Sequence, residues 1–500
     1  MGVDIHGKKY NASLLLAITL LATFAGSLMQ TSMATAIPSL MRSFDISLST
    51  AQQATTWFLL VNGAVIPLSA YLATRIPTKW LTIGVYICLL VGMLISYFTQ
   101  ADSSNWWIFL LGRIVAALAF GTMLPIMQSV IMNVFPIRQI PIAMGLSGLV
   151  VGLAPALGPT LSGWILSRDH TFMGLTISNS WRNIFLIPMI MIVIMLVFAL
   201  FYMKDVIPNR KIRLDYPSLF LSLVGFTGFL LGLTNVADYG WTDGEYVIAP
   251  VAIGIILLVI FTRRQLKLKD PFLDVRVFAV KDFAIPTIAI IFVMMAMYGV
   301  EMMLPTYLQN VLGLTPFHSG LTLLGGALFM GILSPVSGFL FNKVGVRRLT
   351  FVGFGLLAIG TLPFAFLAEN TSQALIIIIY AIRMIGIALV MMPLTTSAMD
   401  AIPRELSSHA SAANNTARQI GSSVAVALLS SVTQNMINHN MPSHLLKVQD
   451  PMVYAAKALG ASMDGFRASF AIGFLFAVIG LCFAFFITNT KPAEVKEDEK

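Results

Sequence analysis

Pro67-Leu-Ser-Ala-Tyr-Leu-Ala-Thr-Arg75-Ile-Pro-Thr-Lys79 recurs, 268 positions later, as Pro335-Val-Ser-Gly-Phe-Leu-Phe-Asn-Lys343-Val-Gly-Val-Arg347. A second landmark keeps nearly the same spacing: Arg113 finds its counterpart at Arg383, 270 positions on. Two unrelated markers sharing nearly one offset argue for an internal repeat rather than chance. Each quoted copy begins at the end of an apolar run and finishes in basic residues, so the repeated unit is a set of membrane spans. Parallel repeats of six spans, related about an axis normal to the membrane, are one standard transporter plan.

Working outward from the repeat, fourteen apolar runs are long enough to cross a bilayer: 13–38, 51–73, 80–99, 106–132, 139–166, 183–203, 216–237, 246–263, 283–307, 317–341, 349–368, 373–399, 407–434 and 468–488. A helix needs about 20 apolar residues to cross roughly 30 Å of hydrocarbon. The composition agrees, with 57% hydrophobic and only 11% charged residues. The expected fold is all-α integral membrane, 14 transmembrane helices arranged 6+2+6. The N-terminal half covers 1–203, a two-helix insert with basic flanking loops covers 204–282, and the C-terminal half covers 283–488. Residues 489–500 form a charged tail expected to be disordered. The loop 435–467 is read either as a small packed hairpin or helix, or as a plain tether.

The formal charge of +9 is a topology signal. With both termini placed in the cytoplasm, 22 Lys and Arg residues fall on the cytoplasmic side, 6 on the outer side and 3 within spans. Positive charge follows the cytoplasm, which sets aside nucleic acid as a partner. Lys8 and Lys9 precede an apolar run too long for the core of a signal peptide, so the first span is expected to remain. Cys88 and Cys482 both fall inside spans and imply no disulfide framework. Six scattered histidines show no metal-ligand spacing. The chain lacks a GxxxxGK[ST] phosphate loop and any visible nucleophile–base pair, so neither ATP, a cofactor, a metal nor an enzymatic activity is expected.

Several further segments carry a family likeness. Span 1 ends in Gln30-Thr-Ser-Met-Ala-Thr-Ala-Ile-Pro38, span 4 carries Arg113, Gly121 and Pro125, and span 5 carries Ala154-Pro-Ala-Leu-Gly158-Pro159-Thr-Leu-Ser162-Gly163. Trp181-Arg182-Asn-Ile-Phe185, Asp274-Val-Arg276-Val-Phe278, Leu304-Pro-Thr-Tyr307-Leu-Gln309 and Pro393-Leu-Thr-Thr396 complete the set. Together they resemble the fourteen-span drug:proton antiporters of the major facilitator superfamily, the QacA/EmrB type, over essentially the whole chain. The resemblance implies a plasma-membrane exporter of amphipathic or cationic small molecules, driven by proton antiport with alternating access, with membrane lipid around it and acting as a monomer. Two other readings stay open: a lipid or metabolite exporter or facilitator with weak or no proton coupling, and a sensor or scaffold that keeps the fold.

The span-5 residues Ala154, Gly158, Pro159 and Gly163 match the antiporter motif. Small residues allow close helix approach, and a proline removes one helical hydrogen bond; the same features also serve plain packing. The family ties the span-4 arginine to proton coupling. Arg113 lies about 10 Å into its span, where it either faces a wet cavity or a partner, or snorkels to the headgroups. Glu301 is the carboxylate set deepest in an apolar segment, and is either a proton carrier or a group that reaches the headgroups. The family's span-1 acid aligns with Met29, which cannot titrate, so a preference for quaternary ammonium does not carry over.

The expected substrate cavity draws on Met29, Gln30, Trp57, Asn62, Met297, Arg383, Asn414 and Arg418. The methionines 294, 295, 297, 302 and 303 fit a pliable apolar pocket, or equally lipid-facing packing. A cytoplasmic latch is expected from Arg75 and Lys79 in the first copy, and from Gly338, Asn342, Lys343, Gly345 and Arg347 in the second. The first copy departs more from the family, with Ala70, Thr74 and Pro77 where Gly, Asp and Gly are usual. Ordinary positive-inside flanking is the alternative for both.

Overall fold

The computed structural model describes residues 2–46, 48–172, 175–209, 215–301, 303–442 and 449–488. Fourteen helices in it are long and apolar enough to cross a membrane. The first six are α1 (Ala12–Phe44), α2 (Leu48–Arg75), α3 (Thr78–Phe98), α4 (Trp106–Val134), α5 (Ile140–Ser167) and α6 (Leu186–Tyr202). Then follow α7 (Tyr216–Tyr239) and α8 (Ala249–Lys267). The last group is α9 (Lys281–Glu301), the short α10 (Leu304–Asn310), α11 (Pro316–Val344), α12 (Val346–Thr361), α13 (Gln373–Asp400), α14 (Ser407–Asn440) and α15 (Pro451–Ala484). Of the sequence readings, Met302, the basic residues Arg210, Lys211 and Arg213, and the tail 489–500 lie outside the described residues.

The repeat is visible helix by helix. Leu48 and Pro316, Thr78 and Val346, Trp106 and Gln373, and Ile140 and Ser407 open matching helices 267 or 268 residues apart. Proline recurs inside matching helices as well, at Pro67 and Pro335 and again at Pro125 and Pro393. Local chemistry sets several ends. Asn11 caps α1 by accepting from the Ser13 and Leu14 amides. Gly345, at φ 85°, supplies the left-handed turn between α11 and α12.

Helices α1 to α6 pack mainly on one another, as do α9 and α11 to α15, giving two bundles with largely separate apolar cores. The bundles meet along two seams. At one, α5 runs beside α11; at the other, α2 and α4 meet α14. The α7–α8 hairpin lies over the second seam, where α7 touches both α2 and α14 while α8 stays outside. With an even number of spans, both ends of the chain lie on one face, called here the terminal face.

Two boundaries differ from expectation. The ninth span does not run to Tyr307 but ends at Glu301, and Leu304–Asn310 forms a separate helix with Pro305 in its first turn. The segment 435–467 is mostly not a loop, because α14 continues to Asn440 and α15 begins at Pro451. Each has 34 residues, a length of about 51 Å at 1.5 Å per residue. They therefore extend past the hydrocarbon on the far face. The apolar pattern missed this because polar Gln434, Asn438 and Asn440 end the hydropathy signal without ending the helix.

Candidate functional site

A cavity of about 150 Å³ lies near mid-membrane between the two bundles. Helix α1 contributes Thr23, Ser27, Gln30 and Thr31; α2 contributes Asn62 and Ile66. Helix α4 adds Phe120, Gly121, Leu124 and Pro125, and α5 adds Ala154. The other bundle supplies Met294, Met297 and Tyr298 from α9, and Asn415, Arg418, Gln419 and Ser422 from α14. At about 30 Å³ per water, this volume holds around five water molecules. Drug-sized sites run to several hundred Å³, so the cavity must widen to admit a whole substrate.

Several lining hydroxyls are already committed. Thr23 donates to the Thr19 carbonyl at 2.7 Å, Ser27 to Thr23 at 2.9 Å and Ser422 to Arg418 at 2.9 Å. Their oxygens, not their protons, remain for a ligand. Arg418 is 6% exposed, and one of its terminal nitrogens is buried without a partner.

Hydrogen bonds between the bundles close the cavity toward the terminal face. Gln128 Oε1 accepts from Asn415 at 2.7 Å and from Ser411 at 2.9 Å, and Ser411 also reaches the Pro125 carbonyl at 3.0 Å. One layer further out, Asn133 donates to Ser407 at 3.0 Å and Arg404 to the Phe135 carbonyl at 3.3 Å. At the α5–α11 seam Asn342 donates to the Arg138 carbonyl at 3.0 Å.

Of the eight residues expected in the cavity, Gln30, Asn62, Met297 and Arg418 line it. The other four are displaced. Met29 is 1% exposed in the apolar core of the first bundle, and Trp57 packs against that core. Asn414 turns into the second bundle and donates to Thr287 at 3.2 Å. Arg383, fully buried, donates to the Ala296 and Met297 carbonyls at 2.9 and 2.6 Å. The physical reason is helical phase: neighbouring positions on a span differ by 100° around the axis, so a polar residue next to a lining residue faces its own bundle. The four-residue spacing of Thr23, Ser27 and Thr31 is the signal that would have located the α1 wall.

Arg113 also sits away from the cavity lining. It is fully buried, which removes the headgroup reading. Its Nε donates to the Ala54 carbonyl at 3.2 Å, and its guanidinium lies 4.4 Å from the Phe58 ring centroid. Both terminal nitrogens lack hydrogen-bond partners. Glu301 closes α9, one turn beyond the lining residues Met297 and Tyr298. It is partly buried, and one carboxylate oxygen is enclosed without a partner. Arg383 acts on it through space without forming an ion pair within 4.0 Å.

The motif on α5 divides its work between two faces. Thr31 donates to the Ala154 carbonyl at 2.9 Å, Ser32 donates to Gly158 at 3.2 Å, and Thr35 bonds Ser162. A side chain at Gly158 would collide with Thr31. Ala154, Gly158 and Ser162 therefore fasten α5 to α1 within one bundle and do not face the other bundle. Gly145, Gly148 and Gly152 instead face Ser334, Met392 and Met330 across the seam. Gly163 meets α11 loosely, its nearest neighbour there being Phe317 at 3.9 Å from a built Cβ. Helix α5 stays continuous through Pro159.

The two copies of the opening stretch behave differently. In the first, Asp205 accepts from the Lys79 amide at 3.0 Å and Asn209 donates to the Ile76 carbonyl at 2.8 Å, so it is clasped within its own bundle. Arg75 is exposed. In the second, Asn342 bonds across the seam and Gly338 abuts the Pro141 carbonyl of α5. Lys343 lies over Phe339 at 4.6 Å, and Arg347 is exposed.

Comparison with known proteins supplies a family. Residues 19–426 match the model of the Major Facilitator Superfamily. The chain is 37% identical over 495 residues to an uncharacterized MFS-type transporter, YcnB, of Bacillus subtilis, covering 99% of each. It is 34% identical to the lincomycin resistance protein LmrB of the same organism, covering 97% of each. A multidrug resistance protein B homolog of Mycobacterium tuberculosis is 24% identical, with 80% of this chain and 73% of that one aligned. Among solved structures, the proton:xylose symporter XylE superposes with a TM-score of 0.62 at 15% identity, covering 97% of this chain and 98% of that one.

Proposed function

The chain belongs to the major facilitator superfamily, and on that premise we propose that it exports amphipathic small molecules, antibiotics among them, in exchange for protons. The central cavity, drawn from both bundles and closed at one face by hydrogen bonds, small residues and apolar packing, carries this reading. Such a site alternates its access when the bundles rock about it. The relatives named for lincomycin and multidrug resistance support export of drugs. The distribution of Lys and Arg supports a cytoplasmic terminal face and a plasma-membrane setting. One chain carries both bundles, which supports a monomeric unit.

Glu301 is the proton carrier in this reading. It sits one turn from the cavity, partly buried, with one carboxylate oxygen enclosed without a partner. A proton moving down 100 mV releases about 2.3 kcal/mol, which sustains roughly a fifty-fold gradient of a neutral substrate. The test is Glu301→Gln in reconstituted vesicles. It should still bind and exchange substrate but lose accumulation driven by an imposed pH gradient; accumulation equal to wild type moves the carrier elsewhere.

A second reading, an exporter or facilitator without proton coupling, is favoured by the cavity wall itself. Among the described residues it contains no carboxylate, and Met29 stands buried where the resembled family has its acid. Export of an uncharged amphipath that a protonophore leaves unchanged would select that reading.

A further inference from the structure

We propose that the cavity is built for an anionic amphipath, with the Arg418 guanidinium as its counter-ion. The proposal rests on the reading of this cavity as the substrate site of an exporter. Arg418 is the charged member of the described lining, and one of its terminal nitrogens is buried without a partner. The ion pairs within 4.0 Å among the described residues join His6 to Asp205, Arg264 to Asp215 and Arg467 to Asp464, and none involves Arg418. A guanidinium held at mid-membrane without a counter-ion is costly. A carboxylate entering the cavity removes that cost and accepts charge-assisted hydrogen bonds, bidentate where geometry allows.

The remaining walls suit the other parts of such a molecule. Ile66, Phe120, Leu124, Met294 and Met297 offer an apolar surface for its tail. Thr23 and Ser27 present acceptor oxygens to a hydroxyl or amide in its middle, because their own protons go to helix carbonyls. An ammonium finds no carboxylate here and meets the field of Arg418 instead. Exchange of one monoanion outward for one proton inward moves two positive charges in the same direction per cycle. Membrane potential therefore drives export of an acid more steeply than export of a neutral molecule, and does not drive export of a monovalent cation.

The test uses the full chain in nanodiscs and three fluorescent probes with one scaffold: dansyl-aminohexanoate, its methyl ester, and dansylcadaverine. The acid should bind at least about tenfold more tightly than the ester, as one charge-assisted contact warrants, and the amine most weakly. Arg418→Gln should bring the acid to the level of the ester, and a thermal unfolding midpoint like that of wild type shows that the variant is folded. Should Arg418→Gln fail to fold, Ser422→Asp decides. It sets a carboxylate one turn from Arg418 on the lining face, and should abolish the preference for the acid. Equal or tighter binding of dansylcadaverine, a preference for the acid that survives both substitutions, or no binding of any probe would overturn the proposal. A protonophore separates the two readings: acid preference with export insensitive to it removes proton coupling alone, whereas protonophore-sensitive export of the ester without acid preference removes this inference alone.

Discussion

Arg113 shows what a buried charge does when no carboxylate answers it. Its guanidinium rests on the Phe58 ring and on one backbone carbonyl of α2, so the charge is met by a quadrupole and a dipole. A lysine keeps the charge but is a compact point donor, unable to lie flat on the ring while bonding Ala54. Arg113→Lys is therefore expected to insert, to unfold at lower temperature in detergent, and to lose most export in vesicles. Unchanged export by a stable Arg113→Lys protein would show that a positive charge alone suffices. The burden of a buried arginine was legible in the sequence, because an arginine in an apolar run demands a partner. Its partner was not, because which ring on α2 faces α4 depends on the phase and crossing of two helices.

At the scale of elements, most helix starts and the repeat were readable from hydropathy, charge and the recurrence of Pro67–Lys79 at Pro335–Arg347, while the starts of α10 and α15 were not. The division of labour on α5 was not, since one helix carries small residues on two faces and composition does not say which partner each face meets. Gly338 is the sharpest case, because an added Cβ would strike the Pro141 carbonyl, a backbone atom that cannot swing away. Gly355, on α12, has open space instead. Gly338→Ala should part α5 from α11 near the terminal face and lower transport, with Gly355→Ala as the neutral control. Reaction of an exposed-face thiol reagent with a cysteine introduced at Asn342 reads the opening.

The α7–α8 hairpin is held by a different bond. Arg264 donates to both Asp215 oxygens, at 2.7 and 2.8 Å, and Gln265 donates to Ser218 at 2.6 Å. The bond from Arg264 holds the Asp215 carboxyl below the ordinary aspartate value despite partial burial. A depressed folded-state value means that the stabilisation is complete above the ordinary aspartate range and fades only as pH falls through the lowered value. The hairpin should accordingly be indifferent to pH near neutrality. Asp215→Asn should loosen the hairpin and make the 268–274 connection after α8 more sensitive to protease at neutral pH, while wild type reaches that sensitivity only in strong acid.

For the whole molecule, the proposed alternating access requires two states of nearly equal free energy, and the contacts between the bundles weight one of them. Hydrogen bonds, small-residue packing and apolar contacts of Met399 and Ile402 with the first bundle's core hold the terminal face closed; no ion pair joins the bundles among the described residues. Gln128 is the hinge of this layer, since its one oxygen accepts from both Ser411 and Asn415. At about 1 kcal/mol for a buried bond, losing the Asn415 bond and the share of the Ser411 proton that Gln128 holds shifts the balance by about 1–2 kcal/mol, roughly five- to thirty-fold in population. Gln128→Leu keeps the bulk and removes the acceptor, leaving Asn415 with its bond to the Ser411 carbonyl and Ser411 with its bond to Pro125. Its bundles should then spend much more time open at the terminal face. Spin labels on exposed Arg138 and Lys343, one on each bundle, would report this as a longer distance population in lipid nanodiscs. Such a variant should also bind substrate from the terminal face more readily while exporting it more slowly, because the return to the closed state now lacks the bonds that favour it. A distance distribution identical to wild type would place the gate elsewhere, in the glycine seam of α5 and α11.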